Sequence, residues 1–141
     1  MPLCVYHTNV SSEEIPDEIV LRLCKLVAET LEEDVKAVTV EMRSGKKMCR
    51  DADLKQKWGF FELHGTGAFL DTEKNLVIGN KMFEFGVEVL DVPRNCLFVM
   101  MHEHEATCIG IPGDKLLVDI PKYANYSQPD YFKGLRNVAV N

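Results

Sequence analysis

The chain repeats its own plan once, and that duplication limits the folds open to it. A strand, a helix and a strand are predicted to begin near residues 3, 12 and 35, and again near 58, 72 and 96, an offset that stays near 60 residues. In the first half, Leu3–Thr8 is a short apolar segment ending at Asn9. Ser11-Ser12-Glu13-Glu14 has capping-box spacing, and Pro16 is tolerated in a helix's first turn. Ile19, Leu23, Leu26, Val27 and Leu31 then follow helical periodicity, and the β-branched residues between Val35 and Met42 predict a second strand. In the second half, 58–64 reads as a strand and Gly65-Thr66-Gly67 as a turn. Asp71 or Thr72 caps a helix carrying Leu76, Phe83, Val87 and Leu90 and ended by Pro93, and 96–101 is the last strand. The expected fold is α/β: two pseudo-symmetric βαβ units sharing a four-stranded mixed sheet, with two helices on one face.

Two helices cover only one face of such a sheet. Between Cys96 and Met101 both alternating sets are apolar, Leu97, Val99 and Met101 on one side and Cys96, Phe98 and Met100 on the other. Both faces therefore call for burial, and self-association with closed symmetry is the economical way to supply it. The tail differs in kind. Residues 112–141 hold three of the six prolines (Pro112, Pro121, Pro129) and the aromatics Tyr123, Tyr126, Tyr131 and Phe132. They predict an irregular extension beyond a 1–111 domain, docking on the body or on a neighbouring subunit through aromatic anchors.

At 141 residues this is one domain with a real core. A net charge of −6 argues against nucleic-acid binding, and no apolar run is long enough to span a bilayer. Residues 1–20 show no secretory signal pattern. Five cysteines without CxxC spacing support neither a disulfide framework nor a zinc ribbon, and they suit a reducing cytoplasm. One segment breaks the acidic balance. Arg43, Lys46, Lys47, Arg50, Lys55 and Lys57 face only Asp51 and Asp53, so 43–57 reads as a solvated connection, or else a basic rim that draws in anionic partners.

The candidate for chemistry is Pro2. A small second residue favours removal of Met1, which leaves a secondary amine at the N-terminus. Free α-amino groups titrate near about 7.7–8.0, and burial beside apolar residues such as Leu3 and Val5 lowers that value. An unprotonated amine at neutral pH suits proton abstraction next to a carbonyl. His102-Glu103-His104-Glu105 continues the last strand and places the two histidines on one face and the two glutamates on the other. An i,i+2 histidine pair begins a metal site only with further ligands, of which Cys108 is the nearby candidate. The expectation is no metal, with the pair a polar strand end. His7 and His64 read as single structural residues.

Pro2, the strand ending Thr8-Asn9-Val10, the helix start Ile15-Pro16-Asp17, and the second unit entering through Leu63-His64 together resemble one family. It is the tautomerase superfamily, in its macrophage migration inhibitory factor (MIF) branch, over roughly residues 2–110. The resemblance implies a homotrimer whose three sheets enclose a central barrel, with pockets between subunits, each built around an N-terminal proline that acts as acid and base. It implies keto–enol tautomerisation of phenylpyruvate-like acids without a cofactor. For some members it implies leaderless release as cytokines that engage a cell-surface receptor.

The departures from that pattern are specific. Where the family supplies a lysine for the substrate carboxylate, this chain has Glu33, with Lys36 the nearest substitute. Where it brings a tyrosine and an asparagine to the neighbouring pocket, this chain has Leu97 and Val99, which cannot donate to an enolate oxygen. The branch's CxxC falls on Trp58-Gly59-Phe60-Phe61, so its thiol redox chemistry does not carry over. His64, Gly65 and Thr66 remain as a pocket wall. The expected function is a MIF-like protein with weak or absent tautomerase activity on a small α-keto acid or its enol. The alternatives are an exported signalling ligand and a non-catalytic trimeric binding protein.

Overall fold

A computed structural model of the chain describes residues 1–126; Pro129, Tyr131 and Phe132 of the expected arm lie outside the described residues. The duplicated plan is present. The strands β1 (Leu3–Thr8), β2 (Thr39–Arg43), β3 (Gly59–Gly65) and β4 (Leu97–Glu103) form one mixed sheet in the order β2-β1-β3-β4. Each half is a parallel pair, β1 with β2 and β3 with β4, and the halves join through antiparallel β1 and β3. The helices α1 (Asp17–Thr30) and α2 (Thr72–Glu88) pack on one face of the sheet.

Alternation along the strands sorts the residues between the two faces. Cys4 and Tyr6 of β1, Phe61 and Leu63 of β3, and Leu97 of β4 join Leu23 and Val27 of α1 and Met82 and Phe85 of α2 in one buried cluster. Ile19, Leu26 and Leu31 pack against its margin, so the apolar stripe of α1 is the one its spacing predicts. The opposite face carries Leu3, Val5 and His7, then Phe60, Glu62 and His64, then Phe98, Met100 and His102. Phe98 and Met100 are 41% and 37% exposed there.

Several boundaries differ from the sequence expectation. The capping-box segment forms a separate 3-10 turn over Ser12–Glu14, and α1 begins only at Asp17 with Pro16 as its N-cap. The proline ring disfavours the helical conformation for the residue before it. Ile15 is accordingly extended (φ −119°, ψ 92°), which separates the turn from the helix. The predicted second strand opens as a 3-10 turn over Val35–Ala37, with Asp34 accepting from the Lys36 amide. In α2, Asp71 caps as expected by accepting from the Glu73 and Lys74 amides. The buried face is instead Ile78, Met82, Phe85 and Gly86, while Leu76 is exposed and Leu90 lies beyond the helix end.

The Thr8-Asn9 pair has a structural task. Thr8 Oγ1 donates to the Trp58 carbonyl (2.7 Å), while Asn9 donates to the Gln56 carbonyl and accepts from the Trp58 amide. These bonds pin the end of the basic connection to the end of β1. The connection curls back, and Lys46, Lys47, Lys55 and Lys57 line a shallow groove of about 560 Å3. At the other end of the chain, a small hairpin of β5 (Gly110–Ile111) and β6 (Lys115–Leu116) straddles the expected 111/112 boundary, so the arm is continuous with it.

Gly86 marks the closest approach of α2 to β4, where an added Cβ would meet Leu97 Cδ1 at 2.6 Å. Gly86→Ala is expected to lower stability by about 1–3 kcal/mol through overpacking. Gly110, with nothing within 4 Å of its Cβ direction, supplies the control. Gly110→Ala should stay within about 0.5 kcal/mol. Urea unfolding of both variants checks this; equal shifts would remove close packing as the cause.

Candidate functional site at the head of the first strand

Pro2 is buried at the head of β1, and its carbonyl accepts from the Thr39 amide (3.1 Å). Because Leu3 pairs with His64, continuing the antiparallel register by one residue brings Pro2 alongside Gly65. The loop after Gly65 is tied to β4. Thr66 Oγ1 donates to the His104 carbonyl (2.8 Å), and the Glu103 carboxylate accepts from the amides of Gly67, Ala68 and Phe69. Gly65 and Thr66 thus stand beside Pro2 in a fixed loop.

Glu33 reaches the same end by a different route. Helix α1 closes with the Glu33 amide donating to the Ala28 carbonyl and the Glu32 amide to that of Glu29. Glu32 takes the left-handed conformation at φ 55°. This is the Schellman closure, with a non-glycine residue at the turning position. It leaves Glu33 as the first residue beyond the turn, with its side chain only 15% exposed.

The tail then comes down on Glu33. Lys122 Nζ lies 2.8 Å from Glu33 Oε1, and the Tyr123 hydroxyl donates to the same oxygen at 3.0 Å. The Lys122 ammonium also stands 5.4 Å from the Tyr123 ring centroid. Electrostatics at the N-terminus report the cluster: burial holds the Met1 amine below its ordinary range, Glu33 opposes that shift and Lys122 adds to it. Hydrogen bonding to Glu33 raises the Lys122 pKa, and burial first, then Glu33, raises that of Tyr123. The Cys4 thiol, two residues from Pro2, is pushed up to about 12 by burial, so it is no nucleophile at neutral pH.

Tail placement is fixed by packing around Leu117, Ala106 and Tyr123, which form a second small core. Tyr126 seats on Gly67, where φ is +72° and an added Cβ would meet the ring at 2.5 Å. Beside this seat, Thr30, Leu31, Gly67, Ala68, Lys74 and Lys81 line a cleft of about 300 Å3.

The residues expected from the sequence divide accordingly. Pro2, Glu33, Gly65 and Thr66 gather at one end of the fold. Lys36 is exposed in its 3-10 turn. Leu97 and Val99 turn toward the subunit's own core, and Leu97 pairs with Gly59, at the far end of β1 from Pro2. His64 turns to the open face, where its ring stacks on His102 (centroids 4.4 Å apart) and its Nδ1 lies 2.7 Å from His104 Nε2. Glu62 joins them, its pKa lowered chiefly by its hydrogen bond with His64, while burial and the two neighbouring histidines lower that of His104. Cys108 is exposed and takes no part in this cluster.

Sequence reasoning missed Lys122, Lys74 and Lys81 because their placement depends on contacts across the chain. Glu62 was open to detection, since Glu62 and His64 share a strand face by simple alternation.

Comparison with known proteins places this geometry. The family profile described as macrophage migration inhibitory factor (MIF) matches residues 1–116. Among solved structures, the factor from Oncomelania hupensis is 21% identical with a TM-score of 0.73, covering 79% of this chain and 93% of that one. The factor from Trichinella spiralis is 17% identical with a TM-score of 0.74, covering 79% and 96%. The homologue from Prochlorococcus marinus is 16% identical with a TM-score of 0.72, covering 82% and 98%. A search of curated proteins gives no match. With its profile met over most of its length and its fold shared with these structures, the chain belongs to the macrophage migration inhibitory factor family.

Proposed function

We propose that the chain forms a trimer whose N-terminal proline, once Met1 is removed, is the base of a weak keto–enol tautomerase for phenylpyruvate-type acids. The observation that carries this reading is the burial of Pro2 beside a Glu33–Lys122–Tyr123 cluster. The surroundings that lower the Met1 amine's pKa would act on a proline amine one residue further in. In the reaction that amine takes a proton from the carbon next to the keto group, and the C–H pair forms the C=C bond as the carbonyl π pair moves to oxygen. The protonated amine returns the proton to the enolate oxygen, which regenerates the base. Lys122 takes the part of the missing carboxylate lysine, and the Tyr123 phenol offers an O–H donor. Glu33 competes with substrate for both, which accounts for weak activity. No cofactor is required.

The trimer reading is supported by the open sheet face, with exposed Phe98 and Met100, and by β2 and β4, the edges of the sheet. Closed symmetry covers the face and pairs the edges. A second reading, a non-catalytic binding protein or an exported ligand for a cell-surface receptor, draws on Leu97 and Val99. Both turn toward the core, so neither offers a donor to a neighbouring pocket. Cytoplasmic residence goes with the tautomerase and binding readings, and export with the signalling reading.

Three measurements test the proposal. Sedimentation equilibrium should give three times the 16.0 kDa of one chain, and a stable monomer at micromolar concentration would refute the trimer. For the clamp, Lys122→Met should cut kcat/KM for phenylpyruvate by about tenfold, some 1.4 kcal/mol in the barrier. Glu33→Gln should lower KM by releasing Lys122. If neither variant changes KM, these residues do not meet substrate.

For the base, placing an alanine between Met1 and Pro2 moves the amine by about 3.5 Å, beyond the hydrogen-bond reach of about 3 Å. It should abolish turnover without dissolving the trimer. A protonated amine cannot accept the substrate proton, so kcat/KM should rise with pH. Its acid limb should centre below the ordinary amino range of about 7.7–8.0. Parent protein with a free Pro2 amine and no turnover would leave the binding or signalling reading.

A further inference from the structure

The open face of the sheet gathers all four histidines of the chain, His7, His64, His102 and His104, around one carboxylate, Glu62. Strand geometry makes this unavoidable. Glu62 and His64 are two residues apart on β3 and share a face, and the parallel register sets His102 of β4 directly opposite His64. We propose that Glu62, His64 and His102 form a binding site for a divalent transition-metal ion, zinc being the best match. This site does not rest on the tautomerase reading.

The donor set and its spacing support the assignment. One ligand atom from each of the three residues lies within 4.8 Å of the others. A tetrahedral zinc ion with Zn–N of about 2.0–2.1 Å holds its ligand atoms about 3.3–3.4 Å apart. Glu62 Oε2 and His64 Nε2 already stand 3.2 Å apart, so one edge of the tetrahedron is in place. Binding draws the His102 ligand atom in from within 4.8 Å to that edge length. The Nε2 of His102 is buried and has no hydrogen-bond partner among the described residues, a polar atom that an ion would satisfy. Two imidazoles and one carboxylate suit zinc and other late first-row ions, and three protein ligands leave a fourth position open.

The outer contacts are those a metal site uses. A metal-bound histidine normally donates its second ring N–H to a fixed partner, which sets tautomer and orientation. With His64 binding through Nε2, its Nδ1–H points at His104 Nε2, 2.7 Å away. The second oxygen of Glu62 lies 2.9 Å from His7 Nε2. His7 in turn stacks on Phe60 (centroids 4.2 Å apart), and Phe60 on Phe98, so the base of the site is braced by rings. The histidine pair at 102 and 104 is therefore split between two roles. His102 is a ligand and His104 a positioning residue, while Cys108 has no part.

The full chain, stripped with a chelator, tests this by titration with Zn2+ alone in a calorimeter and with Co2+ alone by visible absorption. Expected is one ion per chain, with a tetrahedral cobalt spectrum. His64→Gln and His102→Gln should each weaken zinc binding by well over about tenfold, and His104→Gln by about tenfold, the usual scale for an outer-shell partner. Cys108→Ser should leave binding unchanged. Zinc should raise the thermal midpoint of the parent but not that of the His64→Gln, His102→Gln double variant.

No saturable binding would overturn the proposal, as would equal affinity in the parent and both ligand variants. Should the variants fold poorly, X-ray absorption of the zinc-loaded parent decides. A shell of nitrogen and oxygen with imidazole scattering supports the site, and sulfur in the shell overturns it.

Discussion

The antiparallel pairing of β1 with β3 is the contact on which the rest of the molecule depends. Each βαβ half is held together by a parallel pair, and within the sheet this seam joins them. Its register sets Leu3 against His64 and Thr8 against Gly59. On the helix side the seam buries Tyr6 against Phe61, with ring centroids 4.6 Å apart. On the open side it aligns His7 with Phe60 and Val5 with Glu62. A slip of one residue would exchange the two faces of β1. It would put Cys4 and Tyr6 on the open face and carry Pro2 away from Gly65. Thr8 and Asn9 guard against that slip by gripping Trp58 and Gln56 at the entrance to β3. Thr8 and Asn9 of the N-terminal motif thus fix the register, while Pro2 of the same motif lies at the candidate site.

The tail is held over the head of β1 by packing more than by charge. Lys122 is 55% exposed, and an ion pair of that exposure contributes between about 0 and 1 kcal/mol. Leu117 is fully buried and Tyr123 nearly so. Burying a large apolar side chain stabilises by about 1.5–3 kcal/mol. The small core around Leu117, Ala106 and Tyr123 therefore sets where the arm lies, and the Glu33 contacts decide what its end presents. A largely buried carboxylate such as Glu33 would be costly on its own, yet it costs little once a lysine and a phenol from the same chain satisfy it.

Local pattern carried much of this fold in the sequence, and its failures have local causes. The apolar stripe of α1 was legible because Ile19, Leu23, Leu26, Val27 and Leu31 all obey one period. Its start was misplaced because the effect of Pro16 falls on Ile15, and the capping-box spacing says nothing about that residue. In α2 the stripe was legible in part: Phe83 and Val87 pack against the core, but Leu76 is apolar yet exposed, and glycine at 86 is buried because β4 comes close. Aromatic docking of the arm could be expected from composition, but its landing point on Glu33 spans about ninety residues of sequence. No periodicity encodes such a contact. The histidines lay between these cases: alternation placed His102 and His104 on one face, and only the β3–β4 register supplied Glu62 and His64.

That register also separates the two chemistries physically. Pro2, Gly65 and the arm meet at the end of the sheet where α1 closes, whereas Glu62, His64 and His102 project from the face that carries no helix. His64 and Gly65 are consecutive, yet a strand sends consecutive side chains to opposite sides. A change at His64 reaches Pro2 only through the backbone, which the pairs Leu3–His64 and His64–His102 hold rigid. Assembly through the open face would bring the histidine clusters of neighbouring subunits together. Subunit association would then bear on the metal ligands directly, and on the proline end only through the strand that both share.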